Sequence, residues 1–306
     1  MIYTLTANPA LDYIVRVKNL EIGETNRAYE TEIFPGGKGF NVSTILSELC
    51  RDSIASGFMA GFAGEELKRL LEGRKFQKDF VEASGCTRIN VKLKAQVETE
   101  INGTGLVIEE KDVKTLMEKY SQIQDGDTLI LSGSIPGCLN KDFYAKLLES
   151  QQSKDILTVV DASGDLLKNA LAWHPFLVKP NQAEIEELLG IKIADDDELV
   201  KAGRSLQQLG ARNVLISRGA KGAMLVGEDG VIYEAGCPQG KLVNSVGSGD
   251  SMVAGFVSGW LDTHSLEKAF VLGIYCGSAT AFCADLAQKA DIENLEASSP
   301  VQVTKR

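Results

Sequence analysis

Histidines and paired cysteines are scarce in this chain. Its 306 residues include two histidines and six cysteines, and no two cysteines have the C-x-x-C spacing. Zinc sites need clustered cysteine and histidine ligands, and a Ser-His-Asp triad needs a histidine beside its serine. The chain has too few histidines and no clustered cysteines for either type of centre. We therefore interpret the cysteines as structural thiols in a reducing compartment.

Long apolar runs and an excess of positive charge are also missing. No stretch approaches the about 18 apolar residues that cross a bilayer, and Met1 leads into a strand-like segment without the basic start of a signal peptide. The formal net charge of −10 repels nucleic acid and anionic membranes. We therefore expect a cytoplasmic protein whose partners are small molecules, and we exclude nucleic acid and membrane.

Familiar nucleotide-binding signatures are absent. Neither glycine-rich segment is a P-loop, and neither completes G-x-G-x-x-G, because Met252 and Val42 stand at the final glycine position. The His-Arg-Asp and Asp-Phe-Gly motifs do not occur either, which excludes a protein kinase.

Strand-like and helix-like segments alternate along most of the chain. Strands are predicted at 53–59, 128–131, 156–160 and 213–217, the second of them short and buried, with helical patterns between them. Such alternation indicates a parallel sheet with helices on both faces. Because apolar residues make up 44% of the chain and no linker-like stretch interrupts it, we predict a single α/β domain over residues 1–306.

Residues 87–94 depart from this alternation. They read T-R-I-N-V-K-L-K, which places apolar side chains on one side of a strand and polar ones on the other. We predict a small, half-exposed β-sheet that forms a lid beside a cleft. The alternative is that its polar face is simply solvated, and for Lys94 this is the favoured interpretation. The lid is predicted from three segments, 12–17, 27–33 and 87–101.

The strongest candidate for chemistry is the run from Gly247 to Asp250. Gly247, Ser248 and Gly249 stand at a predicted loop-to-helix junction, where backbone N–H groups and the helix dipole can bind an anion. Asp250 beside this nest could accept a proton from a hydroxyl during phosphoryl transfer. Taken alone, the run fits an N-capping aspartate on a glycine-rich turn equally well.

Three further segments could contact a ligand. Gly37, Lys38 and Asn41 open a predicted helix and suit a polyol or phosphate, or else form a tight turn with a solvated lysine. Asn181 is a predicted helix cap, and Glu184 in the following turn could face Mg²⁺ with its waters. Residues 217–222 follow a strand and either wrap a nucleotide phosphate or form a hairpin turn.

Taken together and in this order, these segments resemble the ribokinase-like (PfkB) family of sugar kinases over essentially the whole chain. The resemblance implies a three-layer α/β fold with a mostly parallel central sheet and a small β-sheet lid. It is carried by T6-A-N-P-A-L-D12, G36-G-K-G-F-N41, K179-P-N181 with Glu184, and G247-S-G-D250.

Within the family, residues 87–92, 98–103 and 241–247 resemble the branch that acts on sugar phosphates. This implies an enzyme that uses ATP and Mg²⁺ to convert fructose 1-phosphate to fructose 1,6-bisphosphate. A kinase of tagatose 6-phosphate is the near alternative, because Ser248 stands where the fructose 1-phosphate enzymes more often have alanine. An alternative of another class is a non-catalytic regulator that binds nucleotide or sugar phosphate.

The resemblance also implies a role for each matching residue, and a homodimer that pairs through the lid. Asp250 would be the base, and Gly247, Ser248 and Gly249 would form the anion hole. The other implied contacts are Asp12, Gly37 and Asn41 for the sugar; Arg27, Lys38, Arg88 and Ser134 for its phosphate; Asn181, Ser217, Gly219, Gly222 and Gly249 for ATP; and Glu184 for Mg²⁺.

Overall fold

The computed structural model describes residues 1–306 and contains fourteen β-strands. In chain order they are β1 Ile2–Thr6, β2 Ala10–Arg16, β3 Glu30–Gly36, β4 Ser53–Met59, β5 Gln77–Glu82, β6 Arg88–Lys94, β7 Thr99–Asn102, β8 Thr128–Ser132, β9 Leu157–Asp161, β10 Leu177–Val178, β11 Asn213–Ser217, β12 Ala223–Val226, β13 Ile232–Ala235 and β14 Thr304–Lys305.

Ten of these strands form the central sheet, in the order β14-β13-β12-β11-β10-β9-β8-β1-β4-β5. The run from β11 to β5 is parallel, and β12 to β14 continue it antiparallel. The segment 217–222 therefore joins antiparallel neighbours as a hairpin, with a short 3₁₀ turn at Gly219–Lys221.

Ten α-helices cover both faces of this sheet. They are α1 Lys38–Glu48, α2 Gly61–Leu71, α3 Glu110–Tyr120, α4 Phe143–Ser150, α5 Gly164–Leu171, α6 Gln182–Leu189, α7 Asp196–Gln208, α8 Ser248–Thr263, α9 Leu266–Ala281 and α10 Lys289–Ser298. One hydrophobic core joins α1, α8, α9 and α10 to one face, and a second joins α3 to α7 to the other. This confirms the predicted three-layer α/β fold.

Strand β8 shows how the sequence produces these layers. All five of its residues are buried, with Ile130 in one core and Leu129 and Leu131 in the other. Successive side chains on a strand point to opposite faces, so the middle of a strand covered by helices on both sides is apolar on both faces. A short continuous apolar run is therefore typical of a central parallel strand.

The other four strands form a separate sheet in the order β3-β2-β6-β7. They correspond to the predicted lid segments, with ends shifted by up to three residues at 12–17 and 27–33. The inner end of this sheet packs through Leu11 and Ile89 against α2 and its neighbours. Further out, one face is polar and the other carries apolar side chains such as Ile33 and Ile101, which are 45% and 62% exposed.

The central sheet has a topological switch point at β1. This strand lies between β4 and β8, so successive parts of the chain build the sheet outward in opposite directions from it. In open α/β sheets, ligands bind at the carboxyl ends of the strands beside such a point. Separately, none of the helices is long and apolar enough to cross a membrane.

Candidate active site

A cavity of about 580 Å³ opens at the carboxyl ends of the central strands, beside the switch point at β1. Its walls include residues that follow β1, β8, β9 and β10, together with polar residues of the small sheet. Only three of its 23 lining residues are hydrophobic, so the cavity suits a strongly polar ligand.

The glycine-rich run begins helix α8 at one side of this cavity. Gly247 is the N-cap residue and adopts a left-handed conformation with φ of 80°, which a residue with a Cβ takes only under strain. The turn leaves the first N–H groups of α8 at the cavity, where the positive end of the helix dipole also lies. The Oγ of Ser248 in the same turn is buried without a hydrogen-bond partner. This geometry can bind an anion.

Asp250 lies in the first turn of α8 and lines the cavity, although it is only 5% exposed. Its Oδ2 accepts a hydrogen bond of 2.8 Å from Asn41 Nδ2. Burial and then the negative charge of Asp161 raise the pKa of Asp250 to about 6, against the opposing effect of Lys38. A carboxylate with this pKa is a suitable general base near neutral pH.

Two lysines converge on a single buried carboxylate at the same end of the cavity. Lys38 Nζ and Lys179 Nζ lie 3.2 and 3.3 Å from Asp161 Oδ1, and Asp161 is 1% exposed. Burial acts to raise the pKa of Asp161, but the two ammonium groups outweigh it and hold that pKa below its usual value. Lys179 Nζ also lies 3.1 Å from the point that a Cβ on Gly249 would occupy. Positive charge is therefore concentrated beside the glycine nest.

The small sheet contributes a second polar group of residues. Asn90 Nδ2 donates to Asp12 Oδ1 at 2.9 Å, and Arg88 Nη2 donates to the backbone oxygen of Asn8 at 3.1 Å. Asn8 Nδ2 in turn donates to Ser134 Oγ at 3.3 Å. All five residues line the cavity. Their donors and acceptors suit the hydroxyls and the phosphate of a sugar phosphate.

A third group lies after β10 and β11. Asn181 caps helix α6 in a reciprocal pair, in which its Oδ1 accepts from Glu184 N and Glu184 Oε2 accepts from Asn181 N, at 2.9 and 2.8 Å. Both residues line the cavity together with Ser217. Capping occupies one oxygen of Glu184 and leaves the other available. No group of three or more histidine, cysteine, aspartate or glutamate side chains is placed to hold a metal ion directly.

Several buried polar atoms around the cavity have no partner in the protein. Buried polar groups are normally paired, so such a set indicates a missing polar ligand. The unpaired atoms of lining residues are Thr6 Oγ1, Asn8 Oδ1, Arg88 Nε, Asn90 Oδ1 and Ser132 Oγ, and Asp161 Oδ2 is unpaired beside them.

The structure brings most of the predicted site residues into this one cavity, but not all of them. Arg27 is exposed in the connection between β2 and β3 and does not line the cavity, and neither do Ser248, Gly219 and Gly222. The role expected for Arg27 on a substrate phosphate stays a prediction. The predicted residues that do line it are Asp12, Gly37, Lys38, Asn41, Arg88, Ser134, Asn181, Glu184, Ser217, Gly247, Gly249 and Asp250.

Sequence reasoning assigned no role to Asp161, Lys179, Asn8 or Asn90. The sequence did contain a signal for Asp161 and Lys179. Each is the first polar residue after an apolar run in a parallel strand, and ligand sites concentrate at the ends of such strands. Asn90 belongs to the polar side of the predicted lid strand, but alternation alone does not distinguish a solvated face from a cavity face.

Comparisons with known proteins agree with this geometry. Residues 6–292 match the pfkB family of carbohydrate kinases. The chain is 45% identical over 296 residues to a 1-phosphofructokinase from Bacillus subtilis, covering 96% of this chain and 97% of that protein. It is 34% identical over 283 residues to a tagatose-6-phosphate kinase from Staphylococcus epidermidis, covering 90% and 91%.

A solved structure is similar over nearly the full length. Phosphofructokinase-2 from Escherichia coli, crystallised with substrates and products, has a TM-score of 0.90 at 29% identity, covering 97% of this chain and 98% of that one. The family resemblance drawn from the motifs is confirmed: this chain belongs to the pfkB family of carbohydrate kinases.

Proposed function

We propose that the protein transfers the γ-phosphoryl group of MgATP to the 6-hydroxyl of fructose 1-phosphate, giving fructose 1,6-bisphosphate and ADP. The observation that carries this proposal is the position of Asp250. It is a buried carboxylate with a raised pKa in the same cavity as a glycine nest and two lysines. This combination supports a base for a hydroxyl beside a site for a phosphoryl group.

Asp250 accepts the proton of the attacking hydroxyl. Asn41 donates to one of its oxygens and so holds the carboxylate in place while leaving the other oxygen for the substrate. Gly247 and Gly249 supply backbone donors that stabilise the negative charge of the transferring group, whereas the N–H of Ser248 already donates to Ser245 O. Because such transfer depends mainly on positioning and surrounding charge, no covalent enzyme intermediate is needed.

The residues present fit MgATP. Bound MgATP supplies the phosphoryl group and a cation that neutralises its charge. Lys38 and Lys179 supply further positive charge at the phosphoryl end, where both contact Asp161. Glu184, whose second oxygen is not used in capping, would hold Mg²⁺ through water. Asn181 and Ser217 lie along the nucleotide, with Gly219 and Gly222 in the adjoining hairpin.

The sugar phosphate occupies the side of the cavity next to the small sheet. Asp12 and Asn90 contact its hydroxyls, and Arg88 with Ser134 binds the phosphate that it already carries. Arg88 contacts Asn8 and the lysine pair contacts Asp161, so the two phosphates would be held by different groups of residues. Closure of the small sheet over the sugar excludes water and so suppresses hydrolysis of ATP.

Tagatose 6-phosphate is the alternative substrate, because the relatives include a tagatose-6-phosphate kinase. A coupled ADP-release assay with each sugar phosphate tests both. We expect higher kcat/KM with fructose 1-phosphate; higher kcat/KM with tagatose 6-phosphate would exchange the two assignments. If the protein turns over neither sugar phosphate, the kinase proposal is rejected in favour of a binding regulator.

We further propose that two copies pair through the apolar face of the small sheet. This face continues outward from the core beside α2 and includes Ile33 and Ile101, both substantially exposed in the monomer. Clustered exposed apolar side chains mark interaction surfaces. Ile101→Asp should therefore give a monomer by sedimentation velocity at concentrations where the wild type is a dimer. A wild-type monomer at micromolar concentration would contradict the proposal.

A further inference from the structure

A lysine of the small sheet contacts the sugar-binding carboxylate without reaching the cavity itself. Lys92 Nζ lies 3.4 Å from Asp12 Oδ2, and the two side chains are 13% and 15% exposed. Asp12 lines the cavity, whereas Lys92 does not. The ion pair is therefore largely shielded from solvent, and Lys92 contacts a residue of the cavity wall without being part of the wall itself.

Strand register accounts for this arrangement. Asp12 on β2 is opposite Asn90 on β6, and Ile14 is opposite Lys92, so Asn90 and Lys92 are successive residues on one face. On the other side of β6, Lys92 is opposite Glu100 of β7, whose Oε1 lies 3.9 Å from its ammonium group. Lys92 therefore links carboxylates on the two strands that flank its own.

The Asp12 carboxylate is enclosed on its remaining side by the backbone. A Cβ on Gly36 would lie 2.9 Å from Asp12 Cγ and 3.0 Å from both carboxylate oxygens. Gly36 lies on β3, opposite Ala10 of the neighbouring strand. The carboxylate is thus packed against Gly36 while Asn90 holds Oδ1 and Lys92 attracts Oδ2. Three adjacent strands fix its orientation.

We propose that Lys92 is a positioning residue for the sugar. It holds the Asp12 carboxylate in the orientation that accepts hydrogen bonds from sugar hydroxyls; this inference rests on the kinase function proposed above. Without Lys92 the carboxylate keeps only the Asn90 hydrogen bond and can rotate. Small displacements of a positioning group weaken binding and catalysis strongly. The loss falls on the sugar and not on ATP.

Steady-state kinetics of Lys92→Met test this role against Lys94→Met. Lys94 is the matched control, because it lies two residues further along the same face and pairs with Glu98 instead of Asp12. Lys92→Met should raise KM for fructose 1-phosphate roughly tenfold, the loss expected for one charge-assisted contact. KM for ATP should stay within about twofold of wild type. Lys92→Arg should restore most of the sugar affinity, and Lys94→Met should resemble the wild type.

A double-mutant cycle tests whether Lys92 acts through Asp12. In an Asp12→Asn background, Lys92→Met should cause no further loss of kcat/KM, because residues that act as a unit are not additive. Multiplied losses in the double variant would overturn the inference, as would equal increases in KM for sugar and ATP. Lys92→Gln replaces the methionine variant if thermal unfolding shows that the latter does not fold.

The two proposals fail in different ways. A wild-type protein that turns over no sugar phosphate rejects the kinase function itself. Wild-type turnover combined with a normal KM for sugar in the Lys92 variant rejects only the positioning role.

Discussion

We expect Asp250 to set the acid side of the pH–rate profile. Its pKa is raised to about 6 by burial and by Asp161. A general base acts in its ionised form, so activity is present above this pKa and is lost as the pH falls through it. About nine-tenths of the group is ionised at pH 7 and about one-tenth at pH 5, so kcat/KM for fructose 1-phosphate should fall roughly tenfold between them.

The pH profile of the wild type does not identify the titrating group by itself, because a sugar phosphate also titrates near pH 6. Asp161→Asn separates the two. It removes a negative charge that raises the pKa of Asp250 and frees the ammonium groups of Lys38 and Lys179 to face Asp250. Both changes favour the ionised form of Asp250 and so lower its pKa. The loss of activity at acid pH, the acid limb of the profile, should therefore move to lower pH by roughly one unit or more.

The assay is the initial rate of ADP release between pH 5 and pH 8, with MgATP saturating and the sugar phosphate well below its KM. Ionic strength is held constant, and thermal unfolding confirms that each variant is folded at each pH. Asp165→Asn, at an exposed carboxylate of α5, is the control and should leave the limb in place. An unchanged limb in Asp161→Asn would refute the assignment to Asp250, whatever the absolute rate of that variant.

The remaining predictions concern removal of single side chains. Asp250→Asn should lower kcat by roughly 10²-fold or more, because the hydroxyl loses its base; near-normal turnover would exclude that role. Arg88→Ala should raise KM for fructose 1-phosphate by roughly 10-fold or more with a smaller change in kcat, because a charge-assisted contact to phosphate is lost. An unchanged KM would remove Arg88 from the phosphate site.

The sequence was sufficient to predict the layered fold. Apolar runs such as 128–131 can be buried only in a sheet covered on both faces, so their alternation with helices specifies a parallel sheet. The alternation in 87–94 likewise specified a strand with one polar and one apolar face. It did not specify what either face contacts, because that depends on the neighbouring strands.

The site was less accessible to sequence reasoning. Gly247 and Asp250 were recognisable because the glycine turn and the helix start lie within four residues. Asp161 was not, because its neighbours are distant in sequence: Lys38 is 123 residues away, and their ion pair exists only where β9 ends beside the start of α1. Lys38 was expected at the sugar phosphate, and in the structure its ammonium group lies beside Asp161.

The sequence by itself determined the alternation of strands and helices, the glycine-rich helix start at Gly247–Asp250 and the family to which the chain belongs. These depend on residues that are close in the chain and on the local preferences of the backbone. Tertiary structure alone decided the electrostatics of the site. The pKa of Asp250 depends on burial and on Asp161, and Asp12 is oriented by Lys92, so these properties arise only when distant strands meet.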